Sequence, residues 1–382
     1  MTPAELSRTV LRSVRGAVED RELSVPVPAR IVVRPPKRPG SGDYASSVAL
    51  QLAGPAGRPA REVAEILRKR LAGSPGIDRV EIAGPGFLNF TLGDGAPADL
   101  VRQILTQGAA YGTHATPYGT HATPYGTHAT AHGTDAFVAS PSSSATCPSG
   151  AVDHYRVYGS GGARDTVVAE ALARIDAAVG ASGVHSPLQP RPGEPGSAYE
   201  PDELAVLVAR LGSDEARWVL LRPAAHDPVR VPERPVQREG NPRFLVQYAY
   251  ARVRALVRNA DDLGFASRPG QVEGNEPTPG PANPAARPAA LPDLLRDLHT
   301  LLATYPSALE VAARLRAPDR VVRHLEATAE AFFRWHDVCP PLPVGEQKPL
   351  AVHRARLALA EAVGTVLANG LRLLGISAPE HL

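Results

Sequence analysis

Arg243, Arg252, Arg254 and Arg258 stand between Gly240 and Asn259 among Phe244, Gln247, Tyr248 and Tyr250. Guanidinium planes and aromatic rings beside an amide suit an unpaired RNA loop, whose bases can be stacked upon and hydrogen-bonded at their edges. The same residues also read as a solvated basic face on an ordinary core helix. A helix is expected here in either case. Asn241 can cap the first free N–H groups, and Pro242 falls at the first helical position. Val246, Ala249, Tyr250, Val253, Val257 and Ala260 recur at helical spacing as a buried stripe, while Arg243, Gln247, Arg254 and Arg258 fall along a second face.

Other stretches offer chemistry less clearly. A heptapeptide, Tyr111-Gly112-Thr113-His114-Ala115-Thr116-Pro117, recurs from Tyr118 and again, degraded, from Tyr125. Its histidines (His114, His121, His128, His132) could in principle collect a metal ion, but a low-complexity linker fixes no ligand geometry, and no metal is expected. Gly159-Ser160-Gly161-Gly162 lies between a weak strand, 152–158, and a helix, 163–175, an order that can cradle a pyrophosphate. Arg164 stands where the third glycine of a dinucleotide fingerprint belongs, and that reading fails. Cys147 and Cys339 are too few and too far apart for a disulfide framework or a cysteine-rich metal site.

The elements that must position these groups fall into unlike segments. The chain has 382 residues with a net charge of only +2, and its 39 prolines and 34 glycines imply long connectors. Residues 1–93 carry 14 Lys+Arg against 9 Asp+Glu, a local bias toward an acidic partner. This segment reads as a small α+β unit. Helices are expected over 4–21, 44–52 and 60–72, with strands over 30–34, 77–83 and 87–92, the last two joined by Gly84-Pro85-Gly86. A helix over 95–108 and the repeat fill 94–150, and a Pro-rich linker runs through 187–196. Residues 201–382 read as a helical domain. Its helices include 292–304, 306–316, 319–337 and a last one from about Pro349, with a disordered insertion over 265–291. No apolar run approaches a bilayer's thickness and the start is no signal peptide, so the expectation is a soluble, cytoplasmic protein with no membrane partner.

Three blocks, Gly42-Asp43-Tyr44-Ala45-Ser46, Arg61-Glu62-Val63-Ala64 and Val80 to Phe90 through Gly84-Pro85-Gly86, resemble the amino-terminal domain of arginine–tRNA ligases. Asp214-Glu215-Ala216-Arg217 stands where that family carries Asp-Ala-Leu-Arg. The run from Asn241 to Arg252 is similar to the family's Asn-Pro-x-x-x-Val-Gln-Tyr-Ala-x-Ala-Arg, with Tyr250 where histidine is frequent. Leu367 to Glu380 resembles the family's carboxyl end. Aligning on Ala163-Arg164 puts Gly159 to Gly162 on the family's His-x-Gly-His, so both ATP-binding histidines are absent. The only lysines are Lys37, Lys69 and Lys348, none of them where the second ATP signature belongs.

What the resemblance implies is a multi-domain chain: a small α+β domain (1–93), a linker (94–150), a remnant of the catalytic domain (151–200) and an all-α anticodon-binding bundle (201–382). The expected function is non-catalytic binding of a tRNA, arginine-type, by its anticodon loop, with no catalytic residues and no cofactor. Arg243, Gln247, Tyr248, Arg252, Trp335, Arg354 and Arg356 are the implied RNA contacts of the bundle, with Tyr248 and Trp335 stacking bases. Asp43, Tyr44 and Asn89 are those of the small domain, which in the family touches the tRNA corner. Two alternatives stand beside this: an arginine–tRNA ligase whose missing part comes from another chain, and a regulatory relative that docks a protein. A monomer is expected.

Overall fold

The computed structural model describes residues 1, 3–36, 41–93, 95–113, 162–180, 203–229, 231–232, 240–273 and 291–382. The heptapeptide repeat from His114 on, the weak strand at 152–158, most of the glycine turn and the linker at 187–196 lie outside the described residues.

Helix α1 (Pro3–Glu19) turns Leu6, Val10, Val14 and Ala17 to the small domain's core, where all four are fully buried. Strands β1 (Val33–Arg34), β2 (Tyr44–Ser46), β3 (Ile77–Ala83) and β4 (Phe87–Leu92) form one antiparallel sheet in the order β1-β2-β4-β3. Helices α2 (Val48–Ala56) and α3 (Ala60–Leu71) complete the domain. Tyr44 and Val80 both pair with Phe90, which puts three core side chains in one row. The helix expected over 44–52 starts only at Val48. Gly42, at φ +90, brings the backbone so close to Phe90 that a Cβ would lie 2.6 Å from its carbonyl oxygen, and the Asp43 N–H donates to that oxygen at 2.7 Å. The chain is thereby committed to the ladder before any helix can begin. The strand expected over 30–34 shrinks to its last two residues.

The second body is a bundle of α4 (Ala96–Gln107), α5 (Ala163–Ala178), α6 (Glu203–Leu211), α7 (Ser213–Leu221), α8 (Pro242–Asp262), α9 (Leu291–Leu315), α10 (Asp319–Val338) and α11 (Ala351–Leu374). Its core is wider than residues 201–382. Leu100, Val101 and Ile104 of α4, Tyr111, and Val167, Ala171 and Ile175 of α5 are buried in the same cluster as Val363, Val366 and Leu367 of α11. Helix α11 is long and apolar enough to cross a bilayer, yet 72% of its most apolar window is packed inside the bundle. It ends on Gly375, whose left-handed φ of 72° closes the last turn.

Two expectations for this half are corrected. The helices foreseen over 292–304 and 306–316 are one, α9, which runs through Pro306. Proline has no N–H for the carbonyl four residues back, Leu302, and the Tyr111 hydroxyl donates to that oxygen at 2.9 Å instead. The insertion foreseen as disordered over 265–291 is packed over its first nine residues. Phe265 and Val272 are buried, and the Arg268 N–H donates to the Arg354 carbonyl at 3.0 Å. Residues 274–290 lie outside the described set.

Two histidines are enclosed between α9 and α10. His324 packs against the Tyr305 ring at 5.8 Å, and burial pushes its pKa down to about 4; burial lowers that of His299 as well. The unfolded chain binds these protons near pH 6.5 and the folded chain does not, so the stabilisation is complete above pH 6.5 and is lost as the pH falls toward 4. Urea midpoints at pH 7.5 and pH 5 should therefore differ, with about 2 kcal/mol of the loss due to His324. His324→Phe should flatten the profile, and an unchanged profile would contradict the assignment.

Candidate nucleic-acid interface

Helix α8 begins as its residues require. The Asn241 side-chain oxygen accepts from the N–H groups of Arg243 at 3.0 Å and Phe244 at 3.5 Å. From that start the helix sends two pairs of side chains along neighbouring faces, about 100° apart. Arg243 and Gln247 point inward, whereas Phe244 and Tyr248 point outward.

The inward pair belongs to a closed polar network. Arg243 donates through Nε to Glu215 and through Nη1 to the Gln247 side-chain oxygen. Asn241 Nδ2 adds a second donor to Glu215 at 2.9 Å. Gln247 Nε2 donates to Asp214 and to the Ser377 carbonyl, both at 2.9 Å, and Ser377 donates through N and Oγ to Asp214. Arg243 is 8% exposed and Gln247 1%, so both expected RNA contacts are corrected to internal ties among α7, α8 and the segment after α11. Three more of the expected contacts are turned inward. Arg356 donates to the Val272 and Pro340 carbonyls at 3.2 and 3.3 Å, bracing the loops beside α11. Trp335 is fully enclosed beside the Phe332 ring. Tyr44 lies in the small domain's core, where burial raises its pKa.

Asn89, also in the small domain, is 9% exposed, in register with Ala45 and Glu81. The Asp43 carboxylate accepts the Leu92 N–H at 2.8 Å and so closes the end of the sheet.

The outward side carries the candidate interface. Tyr248, 37% exposed, is stacked between Phe244 (5.8 Å, 5° between planes) and Phe333 of α10 (5.3 Å, 18°). Three rings thus form a ladder in which Tyr248 is exposed and its two neighbours are partly buried. Arg252 follows Tyr248 by one helical turn, is exposed, and faces His336 of α10. Burial first, and then the Arg252 charge, lower the His336 pKa. Arg334 is exposed beside Phe333. Arg354 stands partly exposed over the Phe265 ring at 5.7 Å and donates to the Ala266 carbonyl at 3.0 Å. The three aromatic members were not singled out together from sequence. Their only signal is the four-residue spacing of Phe244 and Tyr248, since Phe333 joins from another helix. Among the described residues no group of three His, Cys, Asp or Glu side chains could hold a metal ion.

The architecture is an antiparallel α+β domain followed by a helical bundle that carries an outward aromatic cluster. Comparisons with known families say which domains these are. Residues 8–92 match the arginyl tRNA synthetase N terminal domain, and residues 246–382 match the DALR anticodon binding domain. The chain is a relative of arginine–tRNA ligases that carries these two domains. An arginine–tRNA ligase of Frankia alni is 28% identical over an alignment of 565 positions that covers all of both chains, although this chain has only 382 residues. One of Pseudarthrobacter chlorophenolicus is 41% identical over 182 residues, 47% of this chain and 31% of that protein. In solved structures, the chain is similar to the Thermus thermophilus arginyl-tRNA synthetase, at a TM-score of 0.53 and 13% identity over an alignment that covers 100% of each chain.

The polar network makes a direct prediction. Glu215→Ala leaves the buried Arg243 guanidinium without its counter-charge and should cost about 3 kcal/mol of stability. A urea midpoint close to that of the parent chain would contradict this.

Proposed function

We propose that this chain binds a tRNA, of the arginine-accepting type, through its anticodon loop and does not form the aminoacyl adenylate itself. The observation that carries the reading is the exposed Tyr248 ring stacked between the partly buried Phe244 and Phe333, at the start of a DALR anticodon binding domain and beside the exposed Arg252 and Arg334. Neither arginine has a carboxylate within ion-pair distance among the described residues. Unpaired bases stack on such rings, and unneutralised guanidinium groups take the phosphates between them. Tyr248, Arg252 and Arg354 are the contacts we assign. The buried Arg243, Gln247, Trp335 and Arg356 hold the surface in shape. In the small domain, the sheet side carrying Asn89 would meet the tRNA corner.

Several observations support the non-catalytic half of the reading. Glycines and a serine occupy the place of the ATP-binding histidines, and the interval from α5 to α6 contains no lysine. Among the described residues the only sheet is antiparallel, whereas nucleotide-binding α/β domains use parallel strands. The alignment with the Frankia alni enzyme is much longer than this chain.

Titrating tRNA into the protein at two salt concentrations tests the binding. Affinity should fall steeply with salt, and Tyr248→Ala should weaken it about tenfold with little change in the salt slope. Arg252→Ala should instead reduce that slope by about one unit. No binding at low salt would remove the proposal. ATP–pyrophosphate exchange in the presence of arginine should stay at background, and a clear signal would overturn the non-catalytic assignment.

A further inference from the structure

His336 differs from the two histidines enclosed between α9 and α10. The Nε2 atoms of His299 and His324 are sealed from solvent and have no hydrogen-bond partner among the described residues. His336 reaches the surface instead, with 15% of its side chain exposed. Its ring lies against that of Phe332 at 5.6 Å, and its Nδ1 is 3.7 Å from the carboxylate of the exposed Asp337. The other ring nitrogen, Nε2, makes no hydrogen bond among the described residues.

The place of His336 on α10 matches that of Arg252 on α8. The two helices run side by side in the same direction here. Arg323 and Glu326 of α10 line one cavity with Asn241 and Pro242, and further along Phe333 stacks on Tyr248 at 5.3 Å. Arg252 follows Tyr248 by four residues, and His336 follows Phe333 by three. Each stacked ring is therefore succeeded, one turn on, by a side chain that carries or can take a positive charge. The charged groups that act on His336 are Arg252 from α8 and Asp337 from its own helix. Burial and Arg252 oppose its charge and Asp337 favours it, with a net lowering of its pKa, so the ring is mostly neutral at pH 7.

Resting on the reading that this surface takes RNA, we propose that Arg252 and His336 hold one phosphate of the bound strand between them, and that His336 takes up a proton from solvent as the phosphate arrives. The Asp337 carboxylate favours the neutral tautomer whose hydrogen is on Nδ1. The incoming proton therefore goes to Nε2, which then donates to a phosphate oxygen beside the Arg252 guanidinium. An anion seated between the two cations reverses the repulsion that keeps His336 neutral in the free protein. The site thus adds a contact that strengthens as the pH falls, whereas a pair of arginines would bind alike at every pH.

The test measures the affinity of the full chain for tRNA at low, constant salt, at pH 5.5 and at pH 7.5. The parent should bind about tenfold more tightly at pH 5.5, and His336→Gln should lose that difference. Calorimetry of the parent chain near pH 6.5, in buffers of different ionisation enthalpy, should show up to about one proton taken up with each tRNA. Binding by the parent with no proton uptake, or a pH dependence that His336→Gln keeps in full, overturns the proposal and leaves RNA binding in place. No tRNA binding at either pH removes the proposal together with the reading on which it rests.

Discussion

A buried guanidinium opposed to a buried carboxylate sets the shape of the bundle. Arg243 and Glu215 are each nearly out of reach of water, and a charge in that position is tolerated only when its partner and the remaining hydrogen bonds are all in place. Here they are, through Asn241, Gln247, Asp214 and Ser377. The network ties the short helix α7, the start of α8 and the chain beyond α11 to one point. Arg243 and Gln247, together with the buried Val246, Ala249 and Val253, fix how α8 is rotated about its axis. Phe244 and Tyr248, each about 100° further round the helix, are thereby carried to the edge where Phe333 meets them.

That arrangement explains which parts of the molecule could be read from sequence. Apolar spacing located α1, α3, β3, β4, α8, α10 and α11 closely, because each buries a stripe whose period is visible locally. The cap at Asn241 and the stop at Gly375 were legible for the same reason. Tyr44–Ser46 was not, since its strand character depends on Phe90, far along the chain. The continuity of α9 through Pro306 was equally hidden. It rests on a hydroxyl supplied from position 111, and proline by itself argues for a break.

The candidate site was legible as a region and misread residue by residue. Helical spacing puts Arg243 and Gln247 on a face apart from the apolar stripe, and the family resemblance adds Arg356, so all three read as outward, where arginine and glutamine ordinarily lie. Their acceptors, Glu215, Asp214 and the Val272 and Pro340 carbonyls, belong to other elements and give no local signal. Trp335 was assigned to base stacking by the same logic and lies in the core instead. Tyr248 and Arg252 lie outside, as their types suggest. What makes them a platform is Phe333, contributed by a helix that periodicity alone cannot place beside α8.

The bond from Tyr111 to the Leu302 carbonyl spans 191 positions, and this bears on how the chain comes off the ribosome. At roughly 5–20 residues per second, α4 and its tyrosine emerge on the order of ten to forty seconds before α9 exists to receive them. Leu100, Val101 and Ile104 must wait through that interval without the core they later join. The nascent chain therefore carries an uncovered greasy helix for most of its synthesis, the kind of segment that holding chaperones bind.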